Sequence, residues 1–295
     1  MKILVTGADG FIGRSLVNVL KPDHDVYESS IVNKGKNNYQ IDLLDPRTIA
    51  QALNRIQPQI IVNCAGIVEN SEKANLNPIF VRNLLGEIVK CKLKPKEIII
   101  LGSAAVYGVV DNPDIPVTES VPLGADSIYG LSKIGETEVA NEYRKKFGLP
   151  IIEARIFNPI GVGMHQRFLI PRILNQIEEI KKDSRRPIEI SRLDAKRDYI
   201  DVKDVALALK AIIEGQPRHF VYNIGSDVST SNEELLVLIL RGAGLSSEPE
   251  IVETLPVQEP LVAARANITR LKEDFNWRPL VSLEDTIGGI IHARN

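Results

Sequence analysis

Apolar residues in the first half of the chain fall into two alternating rhythms. Short continuous runs at Ile3 to Val5, Val26 to Ser30, Ile60 to Cys64 and Ile98 to Leu101 read as strands buried on both faces. Between them, Ile12 to Leu20, Pro46 to Ile56, about Asn75 to Lys92 and about Ser127 to Phe147 carry apolar residues at helical spacing. This alternation predicts a parallel, doubly wound sheet, and right-handed crossovers put helices on both of its faces. Past Pro150 the rhythm breaks into a strand (Ile151 to Phe157), a loop rich in Gly and Pro, a helix from Pro171 to Lys182, and shorter mixed segments. Val202 to Ile213 reads as a helix and Val221 to Ile224 as a strand able to rejoin the first sheet. The expected organisation is a first lobe over residues 1–157, rejoined by 201–224, and a smaller mixed α/β lobe over 158–200 and 225–295.

A chain of 295 residues buries a core large enough for two such lobes. Its 36 basic and 38 acidic side chains leave a net charge of −2, and no block of like charge forms an arm or tail, so no nucleic-acid partner is expected. Cys64 and Cys91 lie in apolar or helical patterns without Cys-x-x-Cys or Cys/His spacing, which argues against a disulfide framework and a metal site. The chain enters a strand at once and no apolar run has the length of a membrane span. A cytoplasmic protein without a membrane partner is expected.

The segment Thr6-Gly7-Ala8-Asp9-Gly10-Phe11-Ile12-Gly13 follows the first strand and opens the first helix, the context of a dinucleotide fingerprint. Gly7 allows the tight turn, Gly10 lets backbone approach a pyrophosphate, and Gly13 lets helix and strand pack closely, while the helix N-terminus offers unpaired N–H groups to the anion. The first lobe is therefore expected to bind a dinucleotide.

Two Tyr-x-x-x-Lys pairs occur, Tyr129/Lys133 and Tyr199/Lys203. The first falls in a helical pattern, which puts both side chains on one face. The second falls in an extended run, where residues four apart do not couple, so Tyr199 is read as structural. Beside an ammonium, the phenol of Tyr129 would be drawn from its ordinary value of about 10 toward the working range of a general acid/base. Ser103 follows the fourth strand, at the carboxyl edge where α/β sheets place ligands.

The Gly-x-x-Gly-x-x-Gly spacing resembles the short-chain dehydrogenase/reductase superfamily, and Gly-Phe-Ile-Gly its extended branch of NAD-dependent epimerases and dehydratases. The resemblance extends over nearly the whole chain and implies a Rossmann-like doubly wound parallel sheet with a smaller substrate-binding lobe. Gly102-Ser103-Ala104-Ala105-Val106-Tyr107-Gly108 is similar to the branch's Ser-Ser/Ala-x-Val-Tyr-Gly signature, which implies a Ser103-Tyr129-Lys133 triad with Ser103 holding the substrate oxygen and Lys133 also binding the nicotinamide ribose. Asp42-Leu43 matches the pair set against the adenine, and Cys64-Ala65-Gly66 the segment lying along the cofactor; Asn83 matches an asparagine that holds the active-site helices. The implied cofactor contacts are Gly7, Gly10, Phe11, Ile12, Gly13, Ser30, Asp42, Leu43, Ala65 and Lys133. NAD-preferring members carry an acidic residue where Ser30 stands. With Lys34 and Lys36 beyond it, NADP is favoured over NAD, Glu28 being the alternative ribose ligand.

Arg155-Ile-Phe-Asn158-Pro-Ile-Gly161 resembles a segment whose asparagine contacts the sugar nucleotide, and the run Leu193 to Asp204 one whose arginine, here Arg197, binds the substrate diphosphate. Tyr222 to Ser226 and Phe275 to Pro279 echo structural landmarks. Two departures stand out. Ala104 and Ala105 occupy the positions where dehydratases of this kind carry an acid and a base, and Val257-Gln258 occupies that of a second diphosphate arginine, for which Arg265 is the candidate substitute. The resemblance also implies a homodimer through the helices around Leu84 and Val139. The expected activity is reduction of a nucleotide-linked 4-keto-6-deoxyhexose; a 4-epimerase with retained NAD is the alternative, and the complete triad argues against a cofactor-binding sensor without catalysis.

Overall fold

The computed structural model describes residues 1–31, 38–109, 115–183, 185–245, 249–254 and 265–294; Lys34, Lys36, Val257 and Gln258 lie outside them. The first lobe runs β1 (Lys2–Thr6), α1 (Phe11–Leu20), β2 (Asp25–Ser30), β3 (Asn38–Gln40), α2 (Pro46–Ile56), β4 (Ile60–Asn63), α3 (Asn77–Lys90), β5 (Glu97–Ser103), α4 (Ile128–Phe147) and β6 (Ile151–Ile156). There follow β7 (Asn158–Ile160), α5 (Leu169–Lys182), β8 (Ile188–Ile190), β9 (Lys196–Arg197), β10 (Tyr199–Asp201), α6 (Val202–Glu214), β11 (Val221–Ile224), β12 (Thr230–Ser231), α7 (Asn232–Ala243), β13 (Ile251–Glu253), α8 (Thr269–Phe275) and α9 (Leu283–His292).

Seven strands form one sheet in the order β3-β2-β1-β4-β5-β6-β11, and every pairing in it is parallel. The chain builds outward from β1 to β3, then returns to lay β4 on the other side of β1. That reversal opens a crevice at the carboxyl ends of β1 and β4, where a doubly wound sheet takes its ligand. β11 joins the far edge against β6, with Val221 opposite Glu153.

Helices cover both faces. Leu16, Val17 and Leu20 of α1 and Val205, Leu209 and Ile212 of α6 pack on one face with Ile3, Val5 and Val62, while Ile49, Leu53, Leu84, Ile88 and Val139 of α2, α3 and α4 pack on the other with Leu4, Ile61 and Ile98. Side chains buried this fully contribute roughly 1.5–3 kcal/mol each. A third core joins α5, α7 and α9 to β8 and β10 through Ile173, Ile190, Tyr199, Leu235 and Ile287. The C-terminal region divides between cores: Ala266, Ile268, Leu271 and Trp277 pack on the α1/α6 face of the sheet.

Local chemistry sets the helix ends. Asp45 caps α2 by accepting the Arg47 N–H, with Pro46 in the first turn, and Ser127 caps α4 by accepting the Gly130 N–H. The third helix begins at Asn77 rather than Asn75, because Pro78 suits a first turn and residues 72–76 wind as a tighter 3₁₀ turn. Among the described residues no helix is long and apolar enough to cross a membrane.

Candidate active site

The phosphate loop is a nest of backbone. Gly7 takes φ +62°, and a Cβ there would stand 2.6 Å from the backbone nitrogen of Ala65; one at Gly13 would stand 2.1 Å from the Gly7 carbonyl oxygen. Gly10 turns its N–H onto the Gly7 carbonyl at 3.0 Å. The glycines thus lay the start of α1 directly over the ends of β1 and β4, with bare backbone at the crevice. Phe11 stands at the helix start and reaches toward Gly161, while Ile12 is partly buried against the α1/α6 core. Such a cradle fits the pyrophosphate of a dinucleotide.

Beside it, Thr6 pairs in register with Ser29, and Ser30 ends β2 buried. Glu28 is engaged at 2.7 Å by Lys21, the residue that follows α1. Asp42 turns its carboxylate onto the Leu44 N–H at 2.8 Å, and Asn83 holds the Leu43 carbonyl at 2.8 Å, so α3 fixes this segment. Asn77 had no assigned part in the sequence reading. Its side chain accepts from the Ile67 N–H at 2.7 Å, donates to the Ile67 carbonyl at 2.9 Å and donates to Ser132 Oγ at 3.2 Å. It pins the stretch after Cys64-Ala65-Gly66 to α4, and an Asn-Pro pair opening a helix was the only local signal for it.

Tyr129 and Lys133 share the first turns of α4, with Lys133 Nζ 5.9 Å from the centre of the Tyr129 ring. Lys133 Nζ also lies 3.6 Å from where a Cβ on Gly66 would stand, at the edge of the crevice. It donates to the Leu101 carbonyl at 2.9 Å and to both carboxylate oxygens of Glu136, at 3.1 and 3.0 Å. Ser103 ends β5, and its Oγ accepts the Ala105 N–H at 3.2 Å. The turn after Ser103 touches the start of α4: a Cβ on Gly130 would stand 2.7 Å from the Ala105 carbonyl oxygen. Ala104 is buried in that turn. Cys64 is half-buried just after β4, and desolvation pushes its thiol up to about 12, which leaves it an inert neighbour. Tyr199 lies in β10 with its hydroxyl on Asn232 Oδ1 at 3.3 Å, whereas Lys203 is in α6; strand and helix separate this second pair.

Behind Ser103, Tyr129 and Lys133 runs a buried polar chain. Thr137 and Arg155 both donate to Glu153 Oε1 at 2.9 Å, Arg155 donates to the Tyr107 hydroxyl at 3.0 Å, and Tyr107 donates to Asn223 Oδ1 at 2.6 Å. The chain links α4 to β6 and β11 and leaves Arg155 no part in the crevice.

In the second lobe, Asn158 spends its amide N–H on the Asp198 carbonyl at 2.9 Å, holding β7 to β10. Arg197 is half-buried in β9, opposite Thr230 of β12. Arg265, the candidate second diphosphate ligand, turns its Nε onto the carbonyl and the carboxylate of Asp227, both at 3.0 Å, which orients the guanidinium through that one nitrogen. Leu84 and Val139 face inward and are buried within the chain; Ile79 of α3 and Leu131 of α4 are exposed. Among the described residues no cluster of three or more His, Cys, Asp and Glu side chains suits a metal ion.

The chain resembles known proteins in family and fold. The model of the NAD dependent epimerase/dehydratase family matches residues 3–225. GDP-6-deoxy-D-talose 4-dehydrogenase of Aggregatibacter actinomycetemcomitans is 28% identical over 81% of this chain and 79% of its own length. GDP-6-deoxy-D-mannose reductase of Pseudomonas aeruginosa is 24% identical over 98% of this chain and 96% of its own. Among solved structures, UDP-glucose 4-epimerase of Thermotoga maritima with UDP-glucose superposes with a TM-score of 0.87 at 22% identity, covering 100% of this chain and 98% of that one. RMD of Pseudomonas aeruginosa complexed with NADPH gives 0.86 at 24% identity, covering 99% and 98%.

Proposed function

The chain belongs to the NAD dependent epimerase/dehydratase family, and from that premise we propose that it reduces a nucleotide-linked 4-keto-6-deoxyhexose, with Tyr129 giving the proton to a sugar oxygen held by Ser103. The observation that carries this reading is the meeting of Tyr129 and Lys133 on the first turns of α4 with the turn that follows Ser103, beside the glycine cradle. The bound nicotinamide supplies the hydride. Gly7, Gly10, Phe11, Ile12 and Gly13 hold its pyrophosphate side, Asp42 and Leu43 flank the adenine, and Ala65 and Lys133 hold the nicotinamide end. The Ser103 hydroxyl accepts from Ala105, which leaves its proton free to donate to the substrate oxygen. Asn158 contacts the sugar nucleotide and Arg197 binds its diphosphate.

Ala104 and Ala105 supply neither acid nor base for eliminating water, which favours simple reduction over dehydration. Full-length similarity to a reductase points the same way. Similarity to a 4-epimerase structure supports the alternative, a 4-epimerase that retains NAD. Tyr129→Phe is expected to abolish turnover while leaving fold and cofactor binding intact, and Tyr199→Phe to retain it. The reverse outcome would overturn the choice of pair.

For the cofactor the reading favours NADP: Ser30 offers no carboxylate to repel a 2′-phosphate, and Glu28 is occupied by Lys21. Titration with both cofactors checks it, and an NAD preference of about tenfold or more, roughly 1.4 kcal/mol, contradicts it. We extend the reading to a homodimer packed through the outer faces of α3 and α4, where Ile79 and Leu131 are exposed. A monomer across micromolar concentrations in light scattering would rule it out.

A further inference from the structure

The first turns of α4 bury an ion pair for which the proposed chemistry has no use. Both oxygens of Glu136 face Lys133 Nζ at 3.1 and 3.0 Å, the two side chains are 3% and 6% exposed, and no other hydrogen bond reaches Glu136 among the described residues. With the Leu101 carbonyl, Glu136 surrounds the ammonium with three oxygen neighbours from the protein itself. The other titratable groups that act on this pair are Tyr129 on the same helix, Glu153 of β6 and the Cys64 thiol at the end of β4. Glu153 is committed to Arg155 and Thr137, and Cys64 is an un-ionised thiol. The uncommitted carboxylate that balances Lys133 is therefore that of Glu136, one helical turn away on the same face.

We propose that Glu136 is a positioning residue of the Tyr129–Lys133 pair, keeping the lysine charged and fixed against the Leu101 carbonyl beside Gly66. The inference rests on the catalytic reading of Tyr129 and Lys133. Burial alone drives a lysine toward its neutral form, and here the adjacent carboxylate reverses that and holds Lys133 above the usual lysine range. Taking away that negative charge lowers the pH at which the buried ammonium loses its proton. Reduction needs the tyrosine protonated and the lysine charged. The alkaline limb of activity must then follow the same shift.

Glu136→Gln keeps the shape and removes the charge. The titration is read on the intact protein, without substrate, as the pH dependence of the lysine ¹³Cε resonance that disappears when Lys133→Met is placed in the same background. It is expected to fall by about 1 pH unit or more below wild type in Glu136→Gln, and by less in Glu136→Asp, which keeps a charge at a greater distance. Equal or upward titration in Glu136→Gln overturns the proposal. If that variant does not fold, Glu136→Asp decides alone, because a titration at or above the wild-type one overturns it equally. The two readings separate cleanly: a downward shift in a protein that turns over no keto sugar supports the pairing and ends the catalytic reading, whereas turnover that depends on Tyr129 with no shift ends the pairing only.

Discussion

The carboxylate of Asp198 accepts the backbone N–H of Ala266 at 2.9 Å, and this bond joins the chain beside Arg197 to the chain beside Arg265. Ser226 adds its N–H at 2.6 Å and its hydroxyl at 2.7 Å, and Asp227 its N–H at 3.1 Å. Burial outweighs these four donors and lifts the Asp198 carboxyl to about 6. One buried side chain thereby organises the region expected to meet the diphosphate.

Replacing Asp198 by Asn leaves a single carbonyl oxygen for four donors. The variant is expected to lose about 1–3 kcal/mol in urea unfolding and to bind nucleotide sugar more weakly, with cofactor affinity unchanged. Wild-type stability in this variant would contradict the organising role.

Glu97 opens β5 buried, with Oε2 lacking a hydrogen-bond partner among the described residues and Lys96 Nζ 4.0 Å from Oε1. Burial pushes its carboxyl from 4.5 up to about 7. The folded chain therefore binds a proton that the unfolded chain releases, so this group's contribution is favourable at low pH and is lost as pH rises through about 7. Glu97→Gln is expected to be more stable than wild type by on the order of 1 kcal/mol near pH 8, with the gain fading toward about pH 5. Urea midpoints at the two pH values check this, and a variant less stable than wild type at the higher pH contradicts it.

Two helical glycines separate a packing requirement from helix propensity. A Cβ on Gly13 would collide with the Gly7 carbonyl, so Gly13→Ala is expected to weaken cofactor binding by about tenfold or more and to lower stability by roughly 1–3 kcal/mol. In α9, Gly288 is exposed and a Cβ there meets nothing within 4 Å, so Gly288→Ala is expected to gain about 0.5–1 kcal/mol. Nicotinamide fluorescence titration and thermal melts measure both; equal effects would contradict the nested loop.

The parallel sheet was legible because strands buried on both faces must read as unbroken apolar runs, as Ile60 to Val62 and Ile98 to Leu101 do. α2 and β11 fall at the very bounds their patterns indicate. The short strand Asn38–Gln40 was not legible, having too few residues to show a period, and neither were the two-residue ladder between β9 and β12 and the split of the C-terminal region between two cores. Within the site, motif spacing singled out Gly7, Gly13, Ser103, Tyr129 and Lys133. Asn77, Glu136 and Asp198 escaped because their work depends on long-range partners: Ile67 and Ser132 for Asn77, the Leu101 strand end for the Lys133–Glu136 pair, and Ala266 for Asp198. Local cues were slight: an Asn-Pro pair for Asn77, and for Glu136 its spacing of one turn from Lys133.

The reductase reading turns on where the hydride ends. A reductase leaves it on the sugar and consumes one equivalent of reduced cofactor for each product, whereas a 4-epimerase with the same triad returns it and consumes none. The direct measurement is the stoichiometry of reduced cofactor oxidised to product formed from a nucleotide-linked 4-keto-6-deoxyhexose. One-to-one consumption that vanishes in Tyr129→Phe is the expected result. Protein that carries tightly bound NAD and interconverts 4-hydroxy nucleotide sugars with no net oxidation would contradict it and establish the epimerase instead.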